Sequence, residues 1–185
     1  MIKESILFIS KEVEAYTNLA VVLDHAHTVE EKSGADSKIT LALVNVHEEA
    51  TLKNLPNFTR QNGVLKQKEA PVFLNLYLLF IANNSDYATC LQVLSGVAEC
   101  FQSKPFFTAS NKSNNNPATF PQEVDRLIFE LYNLTLEQIN HLWGVNGGKY
   151  YPSLLYKARI VKIERKDAIQ DGPEIKDIQV ETGLL

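Results

Sequence analysis

The sequence predicts an α+β fold, a single domain in which a mixed or antiparallel sheet is packed by about three helices. Three observations lead there. The chain has 185 residues, the length of one domain or of one domain with a tail. Amphipathic stripes at helical spacing recur near the start, in the middle and after residue 134. Between them stand runs that either alternate at period two or are apolar on both faces, which are the two patterns of strands.

Ile2, Ile6, Ile9, Val13, Tyr16 and Ala20 step by four and three and define the apolar stripe of a first helix. Lys3, Glu4, Lys11, Glu12 and Glu14 populate its other face. "LAVVL" (19–23) begins the first strand. After the turn-rich "EKSGADS" (31–37), "KITLALVNVHEE" alternates, with Ile39, Leu41 and Leu43 on one face. Asn62-Gly63 is a strong hairpin-turn dipeptide. It leads to "APVFLNLYLLFIA" (70–82), which is apolar on both faces and so belongs at the centre of a sheet.

Ser85 or Asp86 caps a second helix, because a short side-chain oxygen accepts from an orphan backbone N–H. Tyr87, Leu91, Leu94, Ala98 and Phe101 form its expected inner stripe. "TASNKSNNNPATFP" (108–121) is polar, low in complexity and bounded by proline, the composition of a mobile surface loop. "VDRLIFELYN" reads as a strand with Leu127, Phe129 and Leu131 facing the core.

The stretch "INHLWGVNGGKYYPSLLYKARIV" (139–161) concentrates the single tryptophan, a glycine pair and three tyrosines. Thr135 and Gln138 have capping-box spacing, and Leu134 with Ile139 fits the hydrophobic staple around it. Leu136, Ile139, Leu142 and Trp143 form the expected buried face of this third helix. Gly147 or Gly148 takes the left-handed conformation that ends it. Pro152 suits the first residue of a strand, and "SLLYKARIVKIER" continues that strand with a bulge or strong twist expected near Ile160-Val161. Trp143, Gly147, Gly148, Tyr150, Tyr151, Pro152 and Tyr156 thus read as a structural corner, where burial of the rings is preferred over a sugar or peptide platform.

Composition narrows the function. A net charge of −4 and a pI near 5.6 argue against a nucleic-acid binder, which carries a basic excess on one face. The chain does not open with a cationic stretch, an apolar run and a small-residue cleavage site, so no cleaved secretory signal is expected. The run 70–82 is broken by Asn75 and falls short of the roughly 20 apolar residues that span a bilayer. Cys90 and Cys100 stand about 15 Å apart along one helix, beyond disulfide reach, and are expected as buried thiols in a reducing compartment.

Candidate chemistry is sparse. His25-x-His27 is the best metal pair, but zinc needs more ligands, and His47 and His141 lack ligand spacing to it. Glu48 and Glu49 are adjacent on a strand, face opposite ways and read as a solvated strand exit. "GVNGG" lacks phosphate-loop spacing, and Ser153 lacks the glycine-flanked turn of a nucleophilic serine.

Three segments carry a resemblance: "LVNVHEEATLKNLP" (43–56), "NLYLLFIANNSDYATCLQVLSGVAECFQSKPFF" (75–107) and "LYNLTLEQINHLWGVNGGKYYPSLLYKARIV" (131–161). In order and spacing they resemble the tail-terminator, or cap, proteins of extracellular contractile injection systems, whose N-terminal domain was long of unknown function. The likeness runs from the first helix to about Lys166. It implies a phage-tail-terminator-like domain over residues 1–168 and a C-terminal extension over 169–185. It also implies a non-enzymatic particle component without cofactor, a homohexameric ring that halts growth of the inner tube and sheath. Tube protein, sheath protein and further copies are the implied partners, without nucleic acid or direct membrane insertion. The implied location is the bacterial cytoplasm during assembly and the injection particle afterwards.

Within that resemblance, the alternating segment 174–182, with Ile175, Ile178 and Val180, suits a strand added to a neighbour's sheet. Lys53, Arg60, Lys66 and Lys68 suit contacts to an acidic ring face, with an ordinary solvated loop as the alternative. An adaptor linking such a particle to membrane or cargo is the second reading. A metal hydrolase using His25 and His27 is the last.

Overall fold

The structure is a computed structural model and describes residues 1–29, 38–49, 58–61, 64–68, 73–161 and 169–171. Its elements are α1 (Ile2–Thr17), β1 (Ala20–Leu23), a 3-10 turn (Ala26–Thr28), β2 (Lys38–Glu48), β3 (Phe58–Gln61), β4 (Val64–Lys68) and β5 (Leu74–Asn83). Then follow α2 (Tyr87–Ser103), β6 (Phe106–Phe107), β7 (Arg126–Leu131), α3 (Leu136–Val145), β8 (Ser153–Val161) and β9 (Ile169–Asp171). A six-stranded sheet has the order β1-β2-β5-β8-β7-β6, and β3-β4-β9 form a second sheet. The β1–β2 pair is parallel and every other pair antiparallel. The expected mixed α+β architecture with three α-helices is the one the described residues adopt.

β5 is central and is buried on both faces, which accounts for its unbroken apolar run. Leu76, Leu78, Phe80 and Ala82 point into one core layer with α1 and α2. Leu79 and Ile81 point into the other, under α3, beside Ala42, Leu155 and Trp143. Each such Leu, Ile or Phe side chain withdrawn from water contributes about 1.5–3 kcal/mol. The first layer is built on rings: Phe101 stacks on Phe129 with centroids 4.6 Å apart and lies 4.5 Å from Tyr156.

Several expectations fail in informative ways. The α1 stripe holds at Ile2, Ile6, Ile9 and Val13, which pack into or against the core, but fails at exposed Tyr16 and at Ala20, which begins β1; Ser5, Phe8 and Glu12 are also buried, Glu12 instead of being solvated. The inner face of α2 is Cys90, Val93, Val97, Cys100 and Phe101, while Tyr87 stays 64% exposed and Leu91 is also outside. Cysteine packs as an apolar residue, so the two small thiols belong among the buried side chains of this face. Leu131 and Leu136 lie at the surface. The bulge falls in β2, between Leu43 and Asn45, while β8 pairs with β5 in unbroken register from Ser153 to Ile160.

The segment 108–121 is not a free loop. Asn116, Phe120 and Pro121 are buried, and Phe120 sets its ring edge-on to Phe8 at 5.1 Å. Its polar residues serve Glu12. The Ser113 N–H and hydroxyl and the Asn116 amide donate to the Glu12 carboxylate over 2.7–2.9 Å, and Lys104 Nζ lies 3.3 Å away. Polar composition marks a surface loop only when the polar groups find water, and here they find a carboxylate.

Candidate functional site

The corner after β7 is built from local rules. Thr135 accepts from the Gln138 N–H at 3.2 Å and Gln138 accepts from the Thr135 N–H at 2.9 Å, a complete capping box. This starts α3, and Leu134, Ile139 and Leu142 pack with buried Trp143 against the sheet. Gly147 and Gly148 both hold positive φ, at 97° and 74°. The Gly148 N–H donates to the Trp143 carbonyl at 2.8 Å and closes the helix.

Tyr150 and Tyr151 then turn back onto Trp143 at 5.9 and 5.7 Å between centroids. The Tyr151 hydroxyl donates to the Val29 carbonyl at 3.0 Å, tying the corner to the 3-10 turn. Pro152 stands immediately before β8 and its carbonyl accepts from Ala82. Tyr156 stands apart from this group. It lies in the opposite core layer, where burial raises its pKa above the usual phenol value. Tyr150, in contrast, is 62% exposed.

Beside α3 the sheet surface is uncovered. His47, Tyr77 and Tyr132 meet edge to face at 5.2 and 5.0 Å and floor an apolar groove whose other wall is α3. Burial is the main cause that raises the Tyr77 pKa. Next to this row, the Asn75 amide donates to Glu49 at 2.9 Å. Lys157 Nζ lies 3.6 Å from Glu49, and Arg159 bridges toward Glu130 at 3.4 Å. Glu49 is therefore not the solvated strand exit expected, because β8 delivers two cations to it at alternate positions. Such partly exposed pairs contribute about 0–1 kcal/mol each and serve mainly to fix charge on this face.

His25 and His27 stack at 5.3 Å in a 3-10 turn, not in a strand. Among the described residues, no group of three His, Cys, Asp or Glu side chains converges as metal ligands. The Cys100 thiol is pushed up to about 12 by burial, the reverse of an activated nucleophile. No helix among the described residues is long and apolar enough to cross a membrane.

The remaining residues singled out by sequence are only partly placed. Lys53, Ile175, Ile178 and Val180 lie outside the described residues. Arg60 lies on β3 opposite Leu65, while Lys66 and Lys68 lie on β4 opposite Thr59 and against β9. The register thus sets Arg60 one position out of phase with the two lysines. The β3–β4 pairing ends at Gln61 and Val64, on either side of the predicted Asn62-Gly63 turn. The aromatic row of the groove and the Glu49 cluster escaped sequence reasoning. The only signals were an asparagine inside an apolar run and the alternation of Lys157 with Arg159.

The geometry thus defines a class: an α+β sheet domain with an apolar groove beside α3 and an adjoining ion-pair cluster. Residues 6–177 match the model of the Pvc16 N-terminal domain family, and the chain belongs to that family. Among solved structures, it is similar to the sheath/tube terminator of PVC, an extracellular contractile injection system, in its extended state. That match has a TM-score of 0.63 and 16% identity over 100% of this chain and 64% of the other. It is also similar to the tube-terminating cap of the anti-feeding prophage, with TM-score 0.63 and 16% identity over 94% of this chain and 58% of that one. This chain therefore spans less than two thirds of either neighbour's length. No curated protein sequence matches it. The tail-terminator resemblance read from three sequence segments and the match in fold agree.

Proposed function

We propose that this protein caps the growing end of a contractile injection system, as a ring that stops addition of inner tube and sheath. The observation that carries this reading is the family match across residues 6–177, joined to the likeness in fold with two proteins described as terminator or cap. The physics of the role agrees. A terminator needs faces matched to its neighbours and no reaction centre, and the described surface offers packed rings, a groove and paired charges. The chain acts as a homohexamer without cofactor or catalysis. It assembles in the bacterial cytoplasm and ends in the particle, with no contact to nucleic acid and no insertion in a membrane.

Residues 1–168 form the capping domain in this reading. The extension 169–185 starts with β9, which pairs with β4 of the same chain, and beyond it Ile175, Ile178 and Val180 add a strand to sheath. Lys53, Arg60, Lys66 and Lys68 contribute positive charge toward an acidic ring, with Arg60 out of phase with Lys66 and Lys68 along the β3–β4 pair. In a sixfold array such weak contacts multiply.

The test is polymerisation of tube protein with graded amounts of the purified chain. Mean tube length falls as the molar ratio of chain to tube subunit rises. Tubes of unchanged length at every ratio sink the reading. Deleting residues 173–185 leaves the fold and the tube effect but weakens capture of sheath at least tenfold, which a pull-down measures.

A further inference from the structure

β2 outruns the strand beside it. β1 pairs with Lys38, Ile39, Thr40 and Leu41 and ends there, while β5 pairs along the opposite side of β2 as far as Glu48. From Ala42 onward, no strand among the described residues lies against the outer side of β2. Leu43, Val44 and Val46 in this stretch are 37–40% exposed. A long apolar strand with an open side is a template for a strand of another chain, and folded proteins blunt such sides.

The register fixes which backbone groups face outward. The Asp24 N–H donates to the Leu41 carbonyl at 3.3 Å, so Leu41, opposite Phe80, turns its backbone polar groups away from β5. In an antiparallel ladder such residues alternate with residues bonded to the partner strand. The outward residues of β2 are therefore Leu41, Leu43, Val46 and Glu48, opposite Phe80, Leu78, Leu76 and Leu74. Val44 is the extra residue of the bulge, which is why the spacing widens between Leu43 and Val46. The Val46 N–H thus points to the open side, and it is already taken. The Asn45 side-chain oxygen accepts from it at 2.8 Å, and the Asn45 amide donates to His47 Nε2 at 2.9 Å, which holds the side chain in place. Without the bulge, Asn45 would adjoin a Val46 N–H bonded to β5.

We propose that the Val44 bulge and the Asn45 side chain together close the outer side of β2 against a strand from another chain, a second copy included. A strand adding to a sheet edge takes its affinity from main-chain hydrogen bonds. Here the Val46 donor is satisfied from within the strand, and the bulge bends the strand away from a flat ladder. The ladder that an incoming strand could build is broken beyond Leu43, although the apolar side chains that would favour it remain at the surface. The proposal stands on the geometry of β2 and is independent of the capping role.

The test compares variants of the full chain by sedimentation velocity over a range of concentrations. Asn45→Val, at an exposed position, releases the Val46 N–H. Self-association beyond the wild-type state then strengthens roughly tenfold, the worth of one or two net backbone hydrogen bonds. Val46→Pro removes the donor where it has no partner on β5, which an edge strand tolerates, so this chain folds and associates as the wild type does. The combined variant keeps the added apolar side chain yet returns to wild-type association. An Asn45→Val chain that associates no more than wild type overturns the proposal. So does a combined variant that associates as strongly as Asn45→Val alone. A Val46→Pro chain that fails to fold puts that N–H in the ladder with β5 and overturns it too. Hydrogen exchange gives a readout without association: the Val46 amide exchanges roughly tenfold faster in Asn45→Ala than in wild type, and an unchanged rate contradicts the closure.

Discussion

Glu12 is the residue on which the loop 108–121 depends. Its side chain is 2% exposed. Burial works against the charge, but donors from Ser113 and Asn116 and the Lys104 ammonium outweigh it and hold the pKa below the ordinary 4.5. A folded pKa below the unfolded one means that this stabilisation is fully present above about pH 4.5 and is lost as pH falls through the folded value. Glu12→Ala leaves buried donors without an acceptor and costs about 3 kcal/mol near neutral pH. Urea unfolding at pH 7 and pH 3 checks this: the gap between wild type and variant narrows at the lower pH, and a pH-independent gap contradicts it. Nothing in the sequence revealed the role, because the partners lie about a hundred positions away (residues 113 and 116) and a helical stripe counts only apolar side chains. Gly148 was legible. A Cβ there meets no atom within 4 Å, so Gly148→Ala pays only for the left-handed backbone, about 1–2 kcal/mol, read as a lower thermal midpoint.

At the scale of elements, local signals were read well and rotations badly. The capping box of α3, the glycine stop and the Asp86 cap of α2 are chemistry between residues a few positions apart, so spacing reveals them. Asp86 accepts from Thr89 N–H at 3.0 Å, and Asp86→Ala lowers stability by about 1 kcal/mol, measurable by denaturant midpoint at constant slope. Which side of a helix faces inward depends on what it packs against. Here α2 turns Cys90, Cys100 and Phe101 inward because the rings of Phe80, Phe129 and Tyr156 are already there. Phe101→Ala opens that cluster at about 3–5 kcal/mol, whereas Leu91→Ala, on the exposed side, changes stability by no more than about 0.5 kcal/mol. Equal costs at the two positions would show that the rotation is wrong. The sequence suggests a bulge or strong twist in β8 because its apolar side changes, but its register with β5 is unbroken, with Lys157 and Arg159 turned to the ion pairs on the uncovered face.

At the scale of the molecule, the central place of β5 followed from an apolar run with no polar face, while the sheet, left as mixed or antiparallel by the sequence, is mixed through the parallel β1–β2 pair. The groove did not follow, since it is made where α3 stops short of covering β2, and a sequence does not state how far a helix reaches across a sheet. The family resemblance followed from residues recurring together in three segments, and the fold carries the same likeness across the chain. The central claim is that this protein sits at one end of an inner tube and ends it. The most direct measurement is electron microscopy of assembled particles carrying a gold label on this chain. The account predicts label at a single end of each tube, in a cluster of fixed size. Label spread along the tube, or tubes that end normally without it, would contradict the account.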